Sequence, residues 1–166
     1  MDLVEPIRDR KEIEAMKKFL KERNLRDYMI FTLGINSKLK VNDLLKLRVS
    51  DIFDEKGEIL INVSPNENRK EDKIFPFSDT VIRDYTEDLM EYFKKYFVDA
   101  LPGAAMFPSR KGGGPITRQQ AHRIIINAAK AVGIKDNIGA QSLRKTFEHL
   151  TYITLDGRNN LDPPSF

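Results

Sequence analysis

Residues 25–33, LRDYMIFTL, constrain the fold more than any other stretch of this chain. At helical spacing they place apolar side chains on almost every face, and such a helix is stable only where other elements cover it all round. The chain must therefore put this segment at its centre and wrap amphipathic elements about it. With 166 residues, 40% of them hydrophobic, it is long enough to bury such a core in one domain. Its 32% of charged residues mark a well-solvated globular chain, not a disordered one.

The flanking pattern agrees. Residues 5–9 form an extended lead-in with Asp9 as a helix cap. Ile13, Met16, Phe19 and Leu20 then share one helical face, with Glu12, Glu14, Lys17, Lys18 and Lys21 on the others, which predicts a packing helix. Residues 31–52, FTLGINSKLKVNDLLKLRVSDI, read as helix, tight connection, short helix and entry to a strand. Residues 58–63 (EILINV) and 73–77 (KIFPF) read as paired strands, and Pro76 assigns the second to an edge or a strand end.

Residues 78–96 return to helical spacing through Val81, Ile82, Tyr85, Leu89 and Phe93. Residues 101–116 are irregular, and their glycines lack the spacing of a phosphate-binding loop. Thr117-Arg118-Gln119-Gln120 is a capping box. Ala121, Ile124, Ile125, Ala128, Ala129 and Val132 then follow the helical period until Gly133 closes it. A last helix begins near Ser142 and carries Leu143, Thr146, Phe147 and Leu150. The expectation is a mainly α fold with a small antiparallel β hairpin: one module over residues 1–155, then a loose tail over 156–166.

Several chemistries are excluded. Without cysteine there are no disulfides, thiolate metal sites or cysteine nucleophiles. His122 and His149 have no ligand-type partner at metal spacing, so both read as structural, with no metal and no cofactor. No apolar run approaches membrane-spanning length and no signal-peptide pattern is present, which predicts a cytoplasmic protein with no membrane partner. A net charge of +3 permits a polyanionic partner without demanding one.

Two stretches resemble signatures of the tyrosine recombinase (phage integrase) family. The first is Lys38-Leu39-Lys40 followed by Asn42-Asp43-Leu44-Leu45-Lys46-Leu47 and Asp51. The second is Gln141-Ser142-Leu143-Arg144-Lys145-Thr146-Phe147. Phe107-Pro108-Ser109-Arg110 and Ile116-Thr117-Arg118 are also similar to that family, and the resemblance spans roughly residues 5–152.

The resemblance implies the catalytic-domain fold of a DNA breaking and rejoining enzyme. In such an enzyme two arginines grip the scissile phosphate, a hairpin lysine protonates the leaving oxygen, a histidine assists, and a tyrosine attacks phosphorus. Planar charge-assisted donors suit the extra negative charge of that transition state. Lys40 stands where the first arginine belongs, Glu67 where the hairpin lysine belongs and Gln141 where the histidine belongs, whereas Arg144 matches. No tyrosine follows at the family's distance, since Tyr152 lies on the same helix as Arg144. Residues 1–8 resemble the end of a linker from a preceding DNA-clamping domain.

The resulting expectation is a domain that binds duplex DNA through Lys38, Lys40, Arg110, Lys111, Arg118, Arg144 and Lys145 without cutting it, with self-association on DNA open. One alternative is a truncated or altered piece of an active recombinase. Another is a helical protein-interaction module with no role on DNA.

Overall fold

A computed structural model describes residues 3–60, 77–112, 114–156 and 165–166. The described residues form eight helices: α1 (Arg10–Arg23), α2 (Leu25–Gly34), α3 (Val41–Leu45), α4 (Val49–Ile52), α5 (Asp79–Asp84), α6 (Thr86–Tyr96), α7 (Arg118–Ala131) and α8 (Ser142–Asp156). The central helix is where its composition requires it. Leu25 and every residue from Tyr28 to Gly34 are buried in α2, which packs against α1, α3, α6, α7 and α8.

Local chemistry accounts for most helix ends. The Asp9 side chain accepts from the Lys11 N–H and starts α1. Asn24 ends α1 and caps α2 by accepting from the Asp27 N–H at 3.2 Å, so the two helices join with no intervening loop. The expected capping box opens α7. Gln120 N–H donates to Thr117 Oγ1 at 3.1 Å, and Thr117 N–H donates to Gln120 Oε1 at 2.8 Å. Gly133, at φ +83°, supplies the left-handed residue that closes it.

Three expectations change. Residues 49–52 form one turn of helix, not the start of a strand, because the Asp51 carboxylate accepts the Arg48 N–H and caps that turn. Pairing starts one residue after α4, where Phe53 bridges Ile59 across a turn. Asp54 Oδ1 accepts from the N–H groups of Lys56 and Glu58 there. Gly57 sits in the same turn at φ +81°, against the Phe93 ring. Most of the expected hairpin of 58–63 and 73–77 lies outside the described residues.

The single helix expected over 78–96 is broken at Tyr85, which adopts φ −107° and ψ 14°. The Thr86 hydroxyl donates to the Ile82 carbonyl at 2.6 Å, and a hydroxyl back-bonding by four residues bends a helix.

The tail expected over 156–166 is not loose at its end. Phe166 is buried, its ring lies edge-on to Phe147 at 6.4 Å, and its N–H donates to Asn36 Oδ1 at 2.5 Å. Its carbonyl accepts from the Tyr85 hydroxyl at 2.9 Å and from the Lys17 ammonium.

The lead-in is extended, as expected, but it is also fastened to α8. Ile7 N–H donates to Thr146 Oγ1 at 2.9 Å, and Lys145 Nζ donates to the Val4 carbonyl at 2.8 Å. Ile7 is buried there, and Glu5 N–H adds a bond to the Asn137 carbonyl.

Candidate nucleic-acid interface

Three helix beginnings meet at one cleft of about 400 Å³. The start of α3 contributes Lys40, Val41 and Asn42, and the first residue of α7 contributes Arg118. The first turns of α8 contribute Gln141, Arg144, Lys145 and Glu148.

The α7 and α8 starts are held together by His122. Its Nδ1 accepts from the Ala140 N–H at 3.0 Å, one residue before Gln141. Gly139 makes this approach feasible, because a Cβ there would lie 2.2 Å from His122 Cε1. Ser142 Oγ accepts from the Gly139 N–H at 3.0 Å and fixes the same turn. His122 therefore has a structural duty: it sets where Gln141 and Arg144 stand relative to Arg118, one turn earlier on its own helix.

On α8 the apolar and polar sides divide as a helical period requires. Leu143, Phe147 and Leu150 are buried, whereas the Arg144 side chain is 41% exposed in the cleft. Arg144 Nε lies 3.0 Å from Glu148 Oε1, an ion pair four residues apart. That nitrogen is sealed from solvent, yet the contact lacks hydrogen-bond alignment, so Nε has charge compensation without a hydrogen bond. Lys145 also lines the cleft, but its ammonium donates to the Val4 carbonyl. Among the described residues, Lys40, Arg118 and Arg144 remain as the cations facing the cleft, opposed by Glu148.

The structure divides the sequence-derived set. Lys40, Arg118, Gln141, Arg144 and Lys145 come together. Lys38 is exposed in the connection before α3 and does not line the cleft. Arg110 belongs to a separate polar pocket of about 300 Å³ with Lys21, Arg23, Lys95 and Tyr96, and the exposed Lys111 lines neither. Glu67 lies outside the described residues.

Sequence reasoning missed Asn42 and Glu148. For Glu148 the signal was available in the i, i+4 spacing from Arg144 on a helix already expected.

None of the five tyrosines lines the cleft. Tyr28, Tyr85 and Tyr92 are buried, with hydroxyls donating to Asp88, the Phe166 carbonyl and the Met106 carbonyl. Tyr152 is 72% exposed, eight residues beyond Arg144 on α8. Among the described residues no group of three or more His, Asp or Glu side chains is placed to hold a metal ion. No described helix is long and apolar enough to cross a membrane.

Residues 8–151 match the model of the phage integrase family. The chain belongs to that family. It is 35% identical over 152 residues to the probable integrase/recombinase YoeC of Bacillus subtilis (strain 168), covering 92% of this chain and 77% of that protein. Its fold matches the crystal structure of the XerH site-specific recombinase bound to difH substrate, a pre-cleavage complex. The TM-score is 0.58 at 18% identity, over 92% of this chain. The chain spans only 44% of the XerH chain. This family assignment agrees with both signatures read from the sequence, since residues 38–51 and 141–147 fall inside the matched range. The mainly helical fold is that of a tyrosine recombinase catalytic domain.

Proposed function

We propose that this integrase-family domain binds duplex DNA by gripping a backbone phosphate in the Lys40–Arg118–Arg144 cleft, and that these residues do not cut the strand. The observation that carries the reading is the convergence of three cations, each from a different helix start, on one cleft. A phosphodiester presents anionic oxygens that a guanidinium binds with paired charge-assisted hydrogen bonds, and Lys40 adds a point charge. XerH, which shares the fold, is a site-specific recombinase caught on its DNA substrate, and this supports the polyanion as DNA.

The absence of cutting rests on three further features. Lys40 cannot offer the bidentate fork of an arginine. Gln141 donates hydrogen bonds but carries no proton to transfer at neutral pH. No tyrosine lines the cleft, so a bound phosphorus would have no hydroxyl nucleophile of that type beside it.

Fluorescence anisotropy on a short duplex, repeated across a salt series, tests the reading. The expected dissociation constant is on the order of micromolar at physiological salt, with a log–log salt slope of about −2 to −3 for a three-cation contact. A binding curve unchanged from low to high salt would rule out phosphate contact as the driver. Trapping of a covalent protein–DNA adduct would replace this reading with that of an active recombinase.

A further inference from the structure

The cleft contains a residue that a phosphate site would not be expected to include. Glu148 lines the same cavity as Lys40, Arg118 and Arg144, and its carboxylate lies 3.0 Å from Arg144 Nε. A carboxylate and a phosphodiester present the same thing to a guanidinium, namely a pair of anionic oxygens at hydrogen-bond distance. The Glu148 side chain is 53% exposed, so it has room to swing toward solvent once a stronger acceptor arrives. The pair is also imperfect, because the sealed Arg144 Nε receives charge compensation without an aligned acceptor.

From this geometry we infer that Glu148 is a built-in competitor for the phosphate at Arg144. Its carboxylate occupies the guanidinium in the free protein and must be displaced, or tolerated as a like charge, when DNA enters. The inference rests on the DNA-binding reading above and adds to it. The affinity of the cleft is set low by an anion of its own, and the domain engages DNA firmly only where other contacts supply the difference.

Two effects act in the same direction. Arg144 loses an existing ion pair when phosphate binds, and the released carboxylate then repels the phosphate at close range. Glu148→Gln keeps the shape and removes both effects. It also leaves Arg144 free to neutralise a phosphate in full, so that one more of the counterions condensed on the DNA is released on binding, which steepens the salt slope by up to about 0.9.

The test is a double-mutant cycle on the intact chain, read by anisotropy on a short fluorescein-labelled duplex across a salt series. The variants are Glu148→Gln, Arg144→Ala and both together. Glu87→Gln, an exposed carboxylate on α6 outside the cleft, controls for net charge. The expected results are a roughly five- to tenfold tightening for Glu148→Gln with a steeper slope, and less than about twofold for Glu87→Gln. In the Arg144→Ala background, Glu148→Gln should tighten binding clearly less, because no ion pair is then broken and only the repulsion of the phosphate is removed.

Equal affinities for wild type and Glu148→Gln, both salt-dependent, would overturn this inference and leave the DNA reading standing. The same gain with and without Arg144 would reduce Glu148 to a matter of net charge and also overturn it. Absence of salt-dependent binding in wild type and Glu148→Gln alike would overturn the DNA reading, and this inference with it.

Discussion

Gly34 and Leu143 approach so closely that no methyl group fits between them. A Cβ on Gly34 would lie 2.6 Å from Leu143 Cδ1 and 3.0 Å from its Cβ. This contact seats the start of α8 on the end of α2, and Arg144 is the next residue. Gly34→Ala gains about 0.8–1 kcal/mol of helix propensity but must push α8 away, at a cost of roughly 1–3 kcal/mol. The net expectation is a loss of stability. Leu143→Ala should cost roughly 2–5 kcal/mol by opening a cavity. The double variant should lose less than the two losses added together, because the new methyl occupies part of the space Leu143 vacates. Urea unfolding of all three variants measures this, and strict additivity would show that the close approach is not the cause.

Arg144 should behave differently from its neighbour. Its one ion pair in the structure joins two half-exposed side chains, and such pairs contribute about 0–1 kcal/mol. Arg144→Ala is therefore expected to leave the melting temperature within a few degrees while weakening DNA binding by about 1–3 kcal/mol. Thermal melting and anisotropy on the same samples separate the two effects. Unfolding with unchanged affinity in the folded fraction would make Arg144 a structural residue.

Alkaline pH should destabilise the domain through two buried phenols. Burial, and then the 2.6 Å hydrogen bond to Asp88, push Tyr28 well above its ordinary value of 10.0, and burial does the same to Tyr92. The Lys21 ammonium, bonded to Asp88 at 2.9 Å, is raised from 10.5 mainly by that bond. In each case the folded state holds its proton more tightly than the unfolded state. Stability is therefore fully present below about pH 10 and falls as pH rises beyond it. Tyr28→Phe combined with Tyr92→Phe should flatten the alkaline limb of a plot of unfolding free energy against pH. A limb as steep as wild type would place the titration elsewhere.

Restoring two family residues should not restore cleavage. Lys40→Arg with Gln141→His would return the guanidinium fork and a proton carrier to the cleft, but no tyrosine faces the phosphate there. Incubation with a nicked suicide duplex, followed by denaturing electrophoresis, is expected to show no covalent adduct for either chain. A labelled adduct mapped to Tyr152 would mean that α8 rearranges on DNA.

Much of this domain is written in patterns only a few residues long. An all-apolar α2 has to be central, and it is. The Thr117–Gln120 box and Gly133 delimit α7 because the bonds they make lie within one turn. Leu143 and Arg144 divide between core and cleft because a helix turns about 100° per residue. The family's signatures were legible for the same reason, being runs of neighbouring residues.

Contacts between distant parts of the chain decided the rest. Phe166 reads as the end of a proline-containing tail, and only the pocket formed by Asn36, Tyr85 and Phe147 makes it a core residue. Arg110 and Arg144 both stood in the expected DNA-binding set, Arg144 alone matching the family's position, yet the packing of the helices sends them to different pockets. Lys145 reads as one more DNA-facing cation until the Val4 carbonyl, 141 residues earlier, is found to engage it. Periodicity and capping are fixed by hydrogen bonds that span about four residues, so the sequence determined the helices and their faces. Which charged groups share a cleft depends on how those helices pack, and that was decided only by the tertiary structure.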